Sequence, residues 1–278
     1  MIKSIKTIMR QDREPYRVPR RVQDVIPIQC VWPDGIFKVG IKFSKTYRFT
    51  DINYKVASRE DKETMFLAYS ELLNGLDSAA TTKLTICNRR QSQADFEQSV
   101  LMAMRGDGLD KYRQEYNQML IDKATGANGI IQEKLVTVTV YKRDIEDARA
   151  YFTRIGADLT ARFAALGSKC VELDAADRLR ILHDFYRAGD EGSFHFDMAD
   201  MARKGHDFKD YICPDGIEKH SDYLKLGDRY CRVLFLKDYA NYIQDEIVAD
   251  LTDLNRNMML SIDILSVPTD EAVREVEN

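Results

Sequence analysis

The stretch Val22–Tyr54, VQDVIPIQCVWPDGIFKVGIKFSKTYRFTDINY, limits this chain more than any other. Val25, Ile26, Ile28, Cys30 and Val31 lead to Pro33-Asp34-Gly35, and Ile36, Phe37, Val39, Ile41 and Phe43 follow. Apolar alternation on either side of a proline-glycine turn predicts a β-hairpin. A hairpin cannot bury its apolar face by itself, so helices must cover it, and the fold expected is α+β.

The 278 residues suffice for one large or two ordinary domains. With 44% hydrophobic and 31% charged residues the composition is globular. No apolar run reaches the roughly 20 residues of a membrane span, and MIKSIKTIMR lacks the apolar core of a signal peptide, so a cytoplasmic location is expected. Cys30, Cys87, Cys170, Cys213 and Cys231 are widely spaced, odd in number and never in a C-x-x-C pair; they read as reduced core thiols.

Charge divides the chain unevenly. Lys3, Lys6, Arg10, Arg13, Arg17, Arg20 and Arg21 against Asp12 and Glu14 give residues 1–21 a net +5, leaving −9 for the rest of a chain that totals −4. Lys3, Lys6, Arg10 and Arg13 share one helical face and Ile2, Ile5 and Met9 another, so a short amphipathic helix can form before Pro15. The bland reading is a solvated terminus; the functional one is an arm for an anionic lipid surface or an acidic partner. An acidic body repels phosphates and argues against nucleic acid.

After the hairpin, Ser58-Arg59-Glu60-Asp61 reads as a helix start, with Met65, Phe66, Tyr69, Leu72, Leu73 and Leu76 at helical spacing and Gly75 at the end. Thr82–Asn88 reads as a strand, and Arg89-Arg90 as its solvated end rather than a ligand-facing patch. Gln93–Lys123 has a helical pattern broken at Gly106-Asp107-Gly108, and Ala124–Gly129 reads as a linker. Beyond it, Leu135–Tyr141 predicts a strand, Asp144–Leu166 a long helix closed by Gly167, and Lys169–Leu173 a short strand. Tyr230–Leu236, Tyr239–Leu254 and Met258–Leu265 repeat the strand-helix-strand order. The domain organisation expected is therefore a basic arm at 1–21, an N-terminal hairpin-plus-helices subdomain at 22–130 and a split βαβ, ferredoxin-like subdomain at 131–267 with a mostly helical insertion at 174–228. Residues 268–278 open another helix with a capping residue and acids but no closing signal, and read as the start of a linker.

His183, His195, His206 and His220 all fall in the insertion, with Asp197, Asp200 and Cys213 nearby. Their spacings match no metal-ligand pattern, so they read as scattered surface histidines and no metal is expected. No Gly-Lys dipeptide exists for a P-loop, and there is no G-x-G-x-x-G, no G-x-S-x-G and no evident Ser-His or Cys-His nucleophile pair. Asp174 and Asp177 are explained as capping residues. Neither a catalytic residue nor a cofactor-binding residue is expected in this chain.

The stretches VQDVIPI, DGIFKVGIKFSKTYRFTDINYKVASREDKETMF, LTICNRR and KDYICPDGIEKHSDYLKLGDRYCRVLFLKDYANYI resemble the N-terminal part of the VirB/TraE-type conjugation ATPases of Gram-positive mobile elements. The resemblance runs from about Lys3 to Val267 and rests on extended wording rather than one short motif. It implies a docking and assembly domain that tethers a type IV secretion motor to inner-membrane channel components, peripheral at the inner face of the cell membrane. ATP and Mg would belong to a following motor domain, which would be a partner in its own right, and the full-length form allows an oligomer. Two other readings stand beside it. One is a nucleotide- or small-ligand-binding module with Phe194, Phe196, Phe208, Tyr211 and Tyr223 as a lid; the other is a single-stranded DNA accessory using Arg89 and Arg90.

Overall fold

The computed structural model describes residues 19–54, 56–90, 101–126, 130–237, 246–268 and 273–274. It is α+β. Among the described residues there are six helices: α1 (Arg59–Asn74), α2 (Asp110–Gly126), α3 (Ile145–Ala165), α4 (Ala175–Tyr186), α5 (Met198–Lys204) and α6 (Glu246–Thr252). The Ser58 hydroxyl accepts from the Asp61 amide at 3.1 Å, and the Asp144 and Asp174 carboxylates accept from the amides of Asp147 (2.9 Å) and Asp177 (2.8 Å). Each satisfies one of the amides that a helix start leaves without an intrahelical partner.

The strands are β1 (Cys30–Val31), β2 (Phe37–Val39), β3 (Lys42–Phe49), β4 (Ala80–Arg90), β5 (Ile130–Tyr141), β6 (Cys170–Glu172), β7 (Ile217–Lys219), β8 (Leu224–Leu226), β9 (Arg229–Cys231) and β10 (Met258–Leu265). One sheet runs β1-β2-β3-β5-β4-β10, with β6 also paired to β3; a second, small sheet runs β7-β8-β9. All pairings in both are antiparallel.

Within the large sheet, β3-α1-β4-β5-α3-β6, with α2 inserted between β4 and β5, is a βαββαβ unit with spatial order β6-β3-β5-β4. That is the ferredoxin-like arrangement, but it spans residues 42–172 rather than the expected 131–267. The difference has a clear cause. β5 lies between β3 and β4, pairing Lys42–Phe49 on one side and Ala80–Arg90 on the other, so strands from both expected subdomains build one sheet. The expected strand Tyr230–Leu236 shrinks to Arg229–Cys231 and joins the small sheet.

The opening hairpin is also shorter than its alternation suggests. Val22–Val25 is a 3-10 turn, and Gly40 at φ +59° turns the chain again, so β2 pairs back on β3 and Ile41 sits at a tip, 70% exposed. Of the helical pattern at 93–123, residues 93–100 lie outside the described residues and the helix begins at Asp110. Of the expected linker, 124–126 close α2 and 127–129 lie outside the described residues.

Phe43 and Tyr47 of β3 and Val136, Val138 and Val140 of β5 meet Ala148, Phe152, Leu159 and Phe163 of α3 in the main core. A second core joins Ile26, Ile28 and Phe37 to Leu179 of α4 and to Phe208, Ile212 and Cys213. The segment after β6 thus packs on the hairpin. No helix among the described residues is long and apolar enough to cross a membrane.

Candidate docking surface

Lys3, Lys6, Arg10, Arg13 and Arg17 lie outside the described residues; Arg20 and Arg21 are exposed. The Arg21 amide donates to the Asp24 carboxylate at 3.1 Å, and just beyond it the chain is clamped. Lys209 Nζ donates to the carbonyls of Gln23 (3.2 Å) and Ile26 (2.9 Å), and the Gln23 amide group donates to Asp210. With Ile26 and Ile28 buried in the second core, residues 22–28 are fixed beside the turn Phe208–Tyr211. Nothing in local sequence marks Lys209 for this, because its partners are carbonyls 183 and 186 positions away.

The turn Pro33–Gly35 is fixed from two sides. Arg149 of α3 donates to the Asp34 carboxylate at 2.7 Å, and the Ala175 amide at the start of α4 donates to the Pro33 carbonyl at 3.3 Å. Arg178 of α4 donates to the carbonyls of Gly35 and Ser44, both at 2.7 Å, and to the Ser44 hydroxyl at 3.1 Å, with its guanidinium 3.8 Å from the centre of the Phe37 ring. Burial pushes the Arg178 pKa down to about 9, still above neutrality, so the cation persists at pH 7.

Arg89 is not the solvated strand end expected of it. Its Nε lies 3.8 Å from both Glu133 and Asp184, while Arg48 reaches Glu133 at 3.2 Å and Arg180 reaches Asp184 at 3.9 Å. The side chain of Arg90 lies outside the described residues. Cross-strand register explains the cluster: Arg89 and Glu133 stand on neighbouring strands, with α4 laid over them. A guanidinium held between two carboxylates is poorly placed to bind nucleic acid.

His183 is likewise not a surface histidine; it is 2% exposed. Its Nδ1 stands 3.3 Å from Asp184 and its Nε2 3.5 Å from the Ser193 hydroxyl, a serine-histidine-aspartate sequence of contacts. The hydroxyl already donates to the Asp190 carbonyl at 2.8 Å and Asp184 is engaged by Arg89 and Arg180, so the arrangement closes a turn. Nucleophile activation needs the hydroxyl proton directed at the imidazole, which this geometry does not provide. His195, His206 and His220 are exposed. Among the described residues, no group of three His, Cys, Asp or Glu side chains is arranged to hold a metal ion.

The aromatic residues considered as a lid mostly fill space, although Tyr223 is exposed. Phe194, Phe196 and Phe208 belong to the second core, Tyr211 meets Phe196 edge-on at 5.2 Å, and Tyr223 stacks on His220 at 4.4 Å.

What the described surface does present is apolar. Phe66 and Leu67 of α1 are each 64% exposed, with Tyr69 beside them. Leu109, Tyr112, Tyr116 and Met119 form a second exposed row at α2, spaced three, four and three residues, a seam that suits a partner helix. The loop before α2 adds exposed Met102 and Met104 and is held firmly. Asn117 accepts from the Met102 amide (2.8 Å) and donates to its carbonyl (2.9 Å); Asp110 accepts from the amides of Arg105 and Gly106; Arg113 bridges Asp107 and Asp110. These bonds hold both carboxylates below the usual range, Asp107 chiefly through Arg113 and Asp110 chiefly through the Arg105 amide. An apolar row on a loop and helix bonded in this way is presented in one geometry. No protein-family model matches the chain, and no curated protein matches it.

Proposed function

We propose that this chain is a docking and assembly domain of a VirB/TraE-type conjugation ATPase, tethering the motor to inner-membrane channel components of a type IV secretion system. The observation that carries the reading is the uncovered apolar surface on α1 and α2, which a stand-alone domain would be expected to bury. The wording of Val22–Tyr54 and Lys209–Ile243 supports the family. On this reading the arm of Lys3, Lys6, Arg10, Arg13, Arg17, Arg20 and Arg21 lies against anionic lipid and α1 and α2 face a channel protein.

Basic residues close to an anionic surface contribute about 1 kcal/mol each, so seven give measurable, salt-sensitive binding. Deleting residues 1–21 should abolish co-sedimentation with phosphatidylserine-containing vesicles at low salt while leaving the circular dichroism spectrum unchanged. Equal vesicle binding by the truncated chain removes the arm from the mechanism. A Gly-Lys-Thr P-loop encoded downstream of Asn278 is the expected signature of the motor.

A further inference from the structure

Val233, Leu234, Phe235 and Leu236 are four consecutive large apolar side chains, all exposed, Leu234 at 83% and Phe235 at 82%. They leave the small sheet from a fixed root. β9 pairs with β8 as far as Cys231 opposite Leu224, and Arg232 then donates from Nε to the Asp222 carbonyl at 3.0 Å, in the turn that joins β7 to β8. That turn is itself closed by the His220 amide, which donates to the Tyr223 carbonyl at 3.0 Å. Exposure of all four neighbours means that no side of the segment rests on the body, and a flat protein face would cover only one side of it. A fluid apolar layer takes all four.

The surroundings of the root match such a layer's polar boundary. His220, Tyr223 and Tyr230 form an exposed aromatic group: Tyr223 stacks on His220 with ring centres 4.4 Å apart and meets Tyr230 edge-on at 5.4 Å. Rings with an apolar face and a polar edge favour the headgroup level of a bilayer. Charge agrees with this. Residues 229–237, RYCRVLFLK, hold three basic residues and no acid, and over 217–237 five basic residues stand against three acids in a chain whose total is −4. Of those acids Glu218 is paired with Lys225 at 3.3 Å. An apolar tip with an aromatic collar and a basic residue on either side has the chemistry that an anionic lipid interface holds.

We propose that Val233–Leu236 inserts into the apolar boundary of an anionic bilayer, with Arg232 and Lys237 at the lipid phosphates and Tyr223 and Tyr230 at headgroup level. The inference rests on the reading that the basic residues of 1–21 bring the chain to such a surface, and it adds a contact of a different kind. One weak anchor binds a membrane only marginally, whereas two together bind stably. The arm supplies charge attraction and this segment apolar burial. The two contributions are separable, because salt screens the first and not the second.

Phe235→Trp in the intact chain tests it, with Trp32, which packs against the main core, as the internal control. On adding phosphatidylserine-containing vesicles the emission of the new indole should shift to the blue, and lipids brominated along their acyl chains should quench it at least about twofold, while wild-type emission is unchanged. Pure phosphatidylcholine vesicles should bind neither protein. The double variant Leu234→Ser, Phe235→Ser should bind phosphatidylserine-containing vesicles at least about tenfold more weakly at every salt concentration, with the salt slope and circular dichroism spectrum of the wild type. An indole that neither shifts nor is quenched while the chain co-sediments overturns this inference alone and leaves the arm in place. A chain that does not co-sediment at low salt overturns both. Wild-type affinity in the double variant, or equal binding to pure phosphatidylcholine, also overturns the inference. So does an emission shift that follows protein concentration without lipid, which marks a second copy as the occupant.

Discussion

At the scale of single residues, the most exacting position is Arg178. It is a half-buried cation with no carboxylate among its bonded partners, stabilised by two carbonyls, a hydroxyl and the face of Phe37. Arg178→Met keeps most of the volume but leaves the Gly35 and Ser44 carbonyls without this donor. With each orphaned buried acceptor costing about 1–3 kcal/mol, a loss near 3 kcal/mol in urea unfolding is expected. A loss below about 1 kcal/mol would show that water replaces the guanidinium. The cysteines give a second prediction. Cys30 is exposed, contrary to its reading as a core thiol, whereas burial pushes Cys87 up to about 12 and Cys170 up to about 11 and also raises Cys213 and Cys231. Since the thiolate is the reactive form, one thiol per native chain, Cys30, should label rapidly at pH 8, and all five only after denaturation. The same shifts set a pH dependence: above pH 9 the unfolded chain releases thiol protons that the fold retains, so stability falls as pH rises through 9 to 12. Rapid labelling of native Cys87 would contradict both.

At the scale of elements, the turn Pro33–Gly35 couples the two cores. Gly35 has φ +77°, and a Cβ there would land on the Leu173 carbonyl just before α4. Gly35→Ala therefore combines a strained backbone with a steric clash, and should cost at least about 2 kcal/mol, more than the 1 kcal/mol typical of a turn glycine. Melting of the variant at the wild-type temperature would mean that the hairpin and α4 separate freely. Legibility varies from element to element for related reasons. Helix starts at Ser58, Asp144 and Asp174 could be read because a cap and its target amide lie three positions apart. The strand at 230–236 could not, because β propensity says nothing about whether a neighbour exists, and β8 supplies only three residues. Arg89 is misplaced for the same reason: its surroundings come from Glu133 on β5 and Asp184 on α4, and local composition does not encode them. Of the proposed docking surface, the basic arm is legible from charge alone. The α1 apolar residues suggest only a helix laid on the sheet and the α2 row only a helical pattern, since exposure depends on which side the sheet takes.

At the scale of the whole molecule, one question is whether the chain divides where its composition changes. Residues 124–129 have the glycine and alanine content of a linker, yet the strand that follows them enters the middle of the large sheet. Separating 22–130 from 131–267 would strip β5 of both neighbours and leave Val136, Val138 and Val140 without Phe43 and Tyr47. The C-terminal piece would keep α3, β6 and the insertion, but Ile26, Ile28 and Phe37, which complete the second core, would be gone. Neither piece then holds a closed core, and a cooperative unit smaller than the sheet is not expected. Fragment 131–267 expressed separately should lack a sigmoidal thermal transition, while the intact chain melts in one step by both circular dichroism and tyrosine fluorescence. Mixing the two fragments should restore the transition, because the lost contacts are ladder bonds and apolar packing that can re-form between chains. An independent, cooperative melt of 131–267 would instead place a complete core within it, and would restore the division that composition suggests.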